Sequence, residues 1–167
     1  MAEEKIIIGA IVNNHFGVLM RITELFAKRC YNIDSLEVGI TDDPALSRMT
    51  IVAMGDALVR EQIVKQLSKL HDVRRAAVIP KEKANVREHM LIKLCNDENG
   101  NAELTALVND CGAKVIDISS RSITVEVTGE VESNDAFIKS AKEFGILEIC
   151  RAGAQALHRG SECLLDA

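Results

Sequence analysis

Residues 5–30 read KIIIGAIVNNHFGVLMRITELFAKRC, and the fold turns on how this stretch is read. Lys5 to Val12 is a continuous apolar run with three successive isoleucines, the pattern of a buried strand. Asn13-Asn14-His15-Phe16-Gly17 breaks the run with turn chemistry. From there Val18, Leu19, Ile22, Leu25, Phe26 and Cys30 recur at three- and four-residue spacing, the stripe of an amphipathic helix.

Outward from that strand and helix, Tyr31-Asn32 turns the chain, and Leu36, Val38 and Ile40 alternate with Glu37 and Gly39 as a strand. Thr41-Asp42-Asp43-Pro44 is a turn, and Met49 to Met54 (MTIVAM) is a further strand. A second helix turns Val59, Ile63, Val64, Leu67 and Leu70 inward and Arg60, Lys65 and Lys69 outward. Val73 to Ile79 closes this β-α-β-β-α-β order as a strand ending at Pro80. Pro80 to Val86 (PKEKANV) is polar and charged and reads as a linker.

The order then repeats. Met90 to Cys95 is a strand, and Leu104, Leu107, Val108 and Cys111 line a helix that Gly112 ends. Lys114 to Ile118 and Ser122 to Val127 are strands. Phe137, Ile138, Ala141 and Phe144 face a helix inward, and Ile146 to Cys150 begins the last strand. After Arg159-Gly160 periodicity is lost and fraying is expected. The predicted fold class is α+β: two consecutive ferredoxin-like β-α-β-β-α-β units, 1–80 and 87–167, with 81–86 between them. Each unit would leave one sheet face and its edges uncovered, which points to a homo-oligomer.

Composition narrows the function classes. The 167 residues are 47% hydrophobic and 27% charged, as in a soluble globular chain. A net charge of −5 argues against a general electrostatic grip on nucleic acid or anionic lipid. Four Phe, one Tyr and no Trp leave little to stack bases or a large planar cofactor. The five cysteines, 30, 95, 111, 150 and 163, form no C-x-x-C pair and read as buried reduced thiols in a reducing compartment. The acidic start, Met-Ala-Glu-Glu-Lys, has no signal-peptide layout, and the longest apolar stretch is far too short to span a bilayer. A cytoplasmic location is expected.

Catalytic motifs are missing. Neither G-x-x-x-x-G-K-[ST] nor G-x-G-x-x-G occurs, and His15, His71, His89 and His158 are not at metal-ligand spacing. Asp42-Asp43 before a proline is turn chemistry, and Ser119-Ser120 has no G-x-S-x-G context. One constellation stands out, the first strand-to-helix turn. A helix starting near Gly17 leaves backbone N–H groups free in its first turn, with the positive end of the dipole behind them. That suits a small carboxylate, while the Asn14 amide offers a donor and an acceptor. The same residues also serve a plain helix start, with Asn14 as cap and Gly17 as turn.

Asn14-x-x-Gly17-x-Leu19-x-Arg21, then Tyr31-Asn32-Ile33-x-Ser35-Leu36, then Thr41-Asp42-Asp43-Pro44-x-Leu46-Ser47-Arg48-Met49-Thr50 closely resembles the small regulatory subunit of acetolactate synthase (acetohydroxyacid synthase). The motifs span roughly the first half of the chain, where that family carries an amino-acid-sensing ACT domain. The second half is similar through its length, repeat order, Arg151-x-Gly153 and Arg159-Gly160.

The resemblance implies a non-catalytic chain that binds and activates the thiamine-diphosphate-dependent catalytic large subunit. It also implies feedback inhibition by a branched-chain amino acid, usually valine, held between two ACT domains of a homodimer. Asn14 and Gly17 would hold this effector, with the backbone amides of Phe16, Val18 and Leu19 around its carboxylate. Asn32 and Ile33 would reach it from the neighbouring chain, with Gly39 close by. Thiamine diphosphate, FAD and magnesium would belong to the catalytic subunit, leaving this chain no cofactor or metal site. Two features depart from the family pattern: His15-Phe16 brings bulk to a turn that is often small or acidic, and Met20 replaces a common small hydroxyl residue. A stand-alone ACT-type amino-acid sensor is the alternative, although such a protein has no need of the Asp42–Thr50 loop. A nucleic-acid-binding module of this order would need strand aromatics that Ile6–Val12 and Met49–Met54 lack.

Overall fold

The computed structural model describes residues 4–96 and 101–165, so the reading of Met1–Glu3 as part of an acidic start lies outside it. The chain divides into two compact units, Met1–Val86 together with Gly153–Ala167, and Arg87–Ala152. Both are ferredoxin-like βαββαβ units of the α+β class.

In the first unit, β1 (Glu4–Asn13), α1 (Val18–Lys28), β2 (Ile33–Ile40), β3 (Leu46–Gly55), α2 (Ala57–Leu67) and β4 (Val73–Val78) follow the expected order. The sheet is antiparallel, ordered β2-β3-β1-β4, so the isoleucine-rich β1 is central. Strand periodicity then sorts its side chains. Ile6, Ile8 and Ala10 pair with Ala53, Ile51 and Met49 and join Val18, Ile22, Phe26, Ile63 and Leu67 in one core. Each large side chain buried this way contributes about 1.5–3 kcal/mol. Asp56 starts α2 by accepting the Val59 N–H at 2.9 Å.

The other face of this sheet carries Ile7, Gly9, Ile11, Arg48, Thr50 and Val52, and the chain's own tail covers it. A Cβ on Gly9 would stand 2.9 Å from Ile79 Cδ1 and 3.0 Å from Leu164 Cδ2. The missing side chain lets Leu164 lie close to the strand, where a Cβ would push the ends of Ile79 and Leu164 aside. Ala154, Ala156 and Leu164 are buried, and the Gly153 N–H donates to Glu37 Oε1 at 2.5 Å. Three expectations change accordingly. Past Gly160 the described tail still returns to the sheet, because Leu164 is buried against Gly9. Gly153–Ala167, expected within 87–167, belongs to the first unit. The face expected to lie open is closed within the chain.

The segment 80–86 is also more ordered than a linker. Lys81–Lys83 form one 3-10 turn, and Ala84 opens β5 (Ala84–Cys95). Ile79, Ala84 and Ala156 make a small cluster, and the short β9 (Gln155–His158) pairs with β5. Hydrophobic periodicity missed β9 because its four residues are too few to show a period.

The second unit contains the rest of β5, α3 (Asn101–Asp110), β6 (Lys114–Ile118), β7 (Ser122–Gly129), α4 (Val131–Ala141) and β8 (Ile146–Arg151), in sheet order β6-β7-β5-β8. Met90, Ile92, Leu94, Ile123, Val125 and Val127 meet Leu104, Val108, Phe137 and Ala141. Its other face carries ion pairs: His89 with Glu126 at 3.0 Å and Lys93 with Glu148 at 3.3 Å. The cysteines correct another expectation. Cys30, Cys111, Cys150 and Cys163 are exposed and Cys95 is half-buried, because they sit at helix ends, an edge strand and the tail rather than on the inward stripes.

Candidate functional site

Where β1 ends, the Asn13 N–H donates to the Asp72 carbonyl at 2.8 Å, and the chain leaves the sheet. The next residue ties the turn to the β2–β3 loop twice. The Asn14 backbone N–H donates to Ala45 O at 2.7 Å, and its side-chain Nδ2 donates to Pro44 O at 2.9 Å. That loop is itself set by Asp43, whose carboxylate accepts the Ala45 N–H at 2.9 Å, so Thr41-Asp42-Asp43-Pro44 is the turn expected. The Asn14 amide is therefore a brace between two loops and not the cap of α1.

Gly17 takes the cap position, with φ of 83° and no side-chain cap bond. This left-handed conformation favours glycine. It starts α1 without placing a side chain over the first N–H groups, and no acidic residue stands in the first turn. The N–H groups there have no acceptor inside the helix, and the dipole adds positive potential. Val18 N–H has only a long contact to His15 O, 3.5 Å. Of the flanking side chains, Phe16 is fully exposed and Leu19 about half, while Val18 is buried in the core.

Beneath the turn lies an ionic cluster. Asp72 Oδ2 accepts from Arg21 Nε at 2.7 Å and stands 2.7 Å from Arg21 Nη2, while Oδ1 stands 2.9 Å from His15 Nε2. Burial pushes the Asp72 carboxyl up, but the bonds and charges of Arg21 and His15, with a bond from Asn13, outweigh it and hold the carboxyl below its ordinary value. His15 Nδ1 lies 3.1 Å from Phe16 O, so its ring is held at both nitrogens. Neither Asp72 nor a role for Arg21 was found from the sequence. The pair is separated by 51 residues, and no local pattern signals it.

The remaining site residues are divided by the sheet. Gly39 pairs with Arg48, near the Leu46 end of β3 that faces Asn13, and is exposed. Ile33 pairs with Ala53, seven residues further along β3, or roughly 23 Å. Asn32 precedes it and makes only a 3.5 Å contact with Asp34. One chain thus brings together Asn14 and residues 16–19, places Gly39 at the same end, and leaves Asn32 and Ile33 at the other. Among the described residues no group of His, Cys, Asp or Glu is placed to hold a metal, and no helix is long and apolar enough to cross a membrane.

Two ACT-like units, the first with an open strand-to-helix turn, define the class as an ACT-domain protein. Residues 8–75 match the AHAS small subunit-like ACT domain family, and residues 87–160 match the family described as Small subunit of acetolactate synthase. The chain belongs to the acetolactate synthase small-subunit family. It is 38% identical to a probable acetolactate synthase small subunit of Methanothermobacter thermautotrophicus, over 98% of each chain. It is also 38% identical to the acetolactate synthase small subunit of Haemophilus influenzae, over 95% of this chain and 98% of that one. The crystal structure of the small subunit from Thermotoga maritima superposes with a TM-score of 0.89 at 35% identity, covering 95% of this chain and 99% of the other.

Proposed function

We propose that this chain is the regulatory subunit of an acetolactate synthase, with no catalytic site of its own. It activates a thiamine-diphosphate-dependent catalytic subunit, which holds the FAD and magnesium, and confers feedback inhibition by a branched-chain amino acid, valine in the first instance. The carrying observation is the turn at Gly17, where a helix start free of side-chain caps and acidic residues opens between two exposed apolar side chains, Phe16 and Leu19.

The effector carboxylate lies against the first turn of α1, at Gly17 and the backbone amides of Phe16, Val18 and Leu19, and Asn14 braces the turn. Asn32 and Ile33 reach the site from a second copy, while Gly39 stands close by at the turn's own end of the sheet. The separation of about 23 Å between Ile33 and the turn supports that division, because no single small amino acid spans both ends of one sheet. The exposed Val38 and Ile40 on the edge strand β2 fit a homodimer formed through the ACT domains, in the cytoplasm. Domain roles follow: Met1–Val86 senses the effector and dimerises, while Arg87–Ala152 is a second ferredoxin-like body.

The test is to assay a cognate catalytic subunit for acetolactate formation from pyruvate, alone and with this chain, while titrating valine, leucine and isoleucine. Stimulation by the chain and suppression by one of the three support the reading. Pyruvate turnover by the isolated chain, or no effect on a cognate partner, refutes it. Binding of an amino acid without any effect on the partner favours a stand-alone sensor.

A further inference from the structure

We propose that Asp72 is a positioning residue for the effector turn, aiming the Arg21 guanidinium at the ligand carboxylate. This rests on the reading of the Gly17 turn as the effector site.

Asp72 holds Arg21 from one side. Asp72 is 7% exposed as a residue, and its Oδ2 engages both Nε and Nη2 of Arg21. The remaining nitrogen, Nη1, lies beside the turn, 3.1 Å from where a Cβ on Gly17 would stand. One edge of the planar guanidinium is thus occupied, and the other stands beside Gly17, where the effector carboxylate is proposed to lie. An arginine left to itself would spread over many rotamers, and binding would have to order it. Asp72 removes that freedom in advance. His15, bonded to the same carboxylate and to Phe16 O, fixes the turn from the other side.

The negative charge of Asp72 also works against a ligand carboxylate, and the two effects must be weighed. The Arg21 side chain is 44% exposed, so long-range repulsion at this site is screened by solvent and salt. The direction of a charge-assisted hydrogen bond is not screened in the same way. Orientation therefore prevails, and losing Asp72 weakens binding.

Calorimetric titration of the full chain with L-valine and with L-valinamide, which lacks the carboxylate, tests this. For Asp72→Asn and Arg21→Gln, valine affinity should fall by about tenfold each. Valinamide affinity should change by less than about twofold, and the double variant should bind valine no more weakly than Arg21→Gln alone. Thermal melting of each variant verifies folding. If Asp72→Asn does not fold, Arg21→Lys, changed at a half-exposed side chain, carries the comparison and should also lose preference for valine over valinamide. A general loosening of the turn would weaken both ligands alike, and that result overturns the proposal. So does valine binding by Asp72→Asn as tight as, or tighter than, the parent's. If the parent binds none of valine, leucine and isoleucine, the effector-site reading falls and this inference with it. If Gly17→Asp loses binding while Asp72→Asn keeps it, only the inference falls.

Discussion

Arg48 of β3 donates from Nη2 to the carbonyl oxygen of Ala156 at 2.8 Å, joining residues 108 apart in sequence. Its guanidinium is half-buried between the sheet and the tail, and burial lowers its pKa from the ordinary arginine value. The bond holds Ala156 over the same sheet face on which Leu164 covers Gly9. An all-antiparallel unit of this size would otherwise expose a broad apolar face.

Removing the tail tests that cover. A chain ending at Ala152 should lose urea-unfolding stability and bind a hydrophobic dye, because Ile7, Gly9, Ile11 and Val52 become open. Leu164→Ala should cost about 2–3 kcal/mol through lost burial and the cavity left behind. Equal unfolding midpoints for parent and truncated chain would show that the tail contributes nothing.

Gly17→Asp should abolish calorimetric binding of the effector amino acid while circular dichroism stays that of a folded chain. The new carboxylate competes for the helix start, and φ of 83° adds roughly 1–2 kcal/mol of strain at any residue with a Cβ. Unchanged affinity would move the effector site elsewhere.

Asn14→Ala removes the 2.9 Å bond to Pro44 O and should lower effector affinity by loosening the turn. Asn32→Ala should lower it by removing a hydrogen bond to a charged group, about 1.5–3 kcal/mol. A mixed dimer of the two variants should retain one intact site of two. Loss of both sites in the mixed dimer would place the two residues on the same chain's site.

Asp72 should make stability depend on acidity. Its folded-state carboxyl titrates below the ordinary value of 3.8, so its stabilisation is complete above that value and is lost as pH falls through the lower folded value. In urea unfolding, the parent should exceed Asp72→Asn at neutral pH, and the gap should close at strongly acid pH. A gap that is constant with pH would mean that the Asp72 charge contributes nothing to folding.

Much of this architecture was legible in the residues themselves. Three isoleucines in Lys5–Val12, the helical stripe from Val18 to Phe26 and the repeat of the same order after Val86 specify two βαββαβ units through local periods of 2 and 3.6. The turn at Gly17 was equally visible, because a positive φ and an uncapped helix start are properties of a few consecutive residues. What only the tertiary structure decided are contacts between residues far apart in the chain. Asp72 beneath Arg21 and His15, the Asn14 brace to Pro44, and the tail over Gly9 each join residues that no periodic pattern relates. The tail in particular reads as aperiodic because it answers to a sheet face already built. Apart from the four-residue β9, its few apolar residues are spaced by where that face lies.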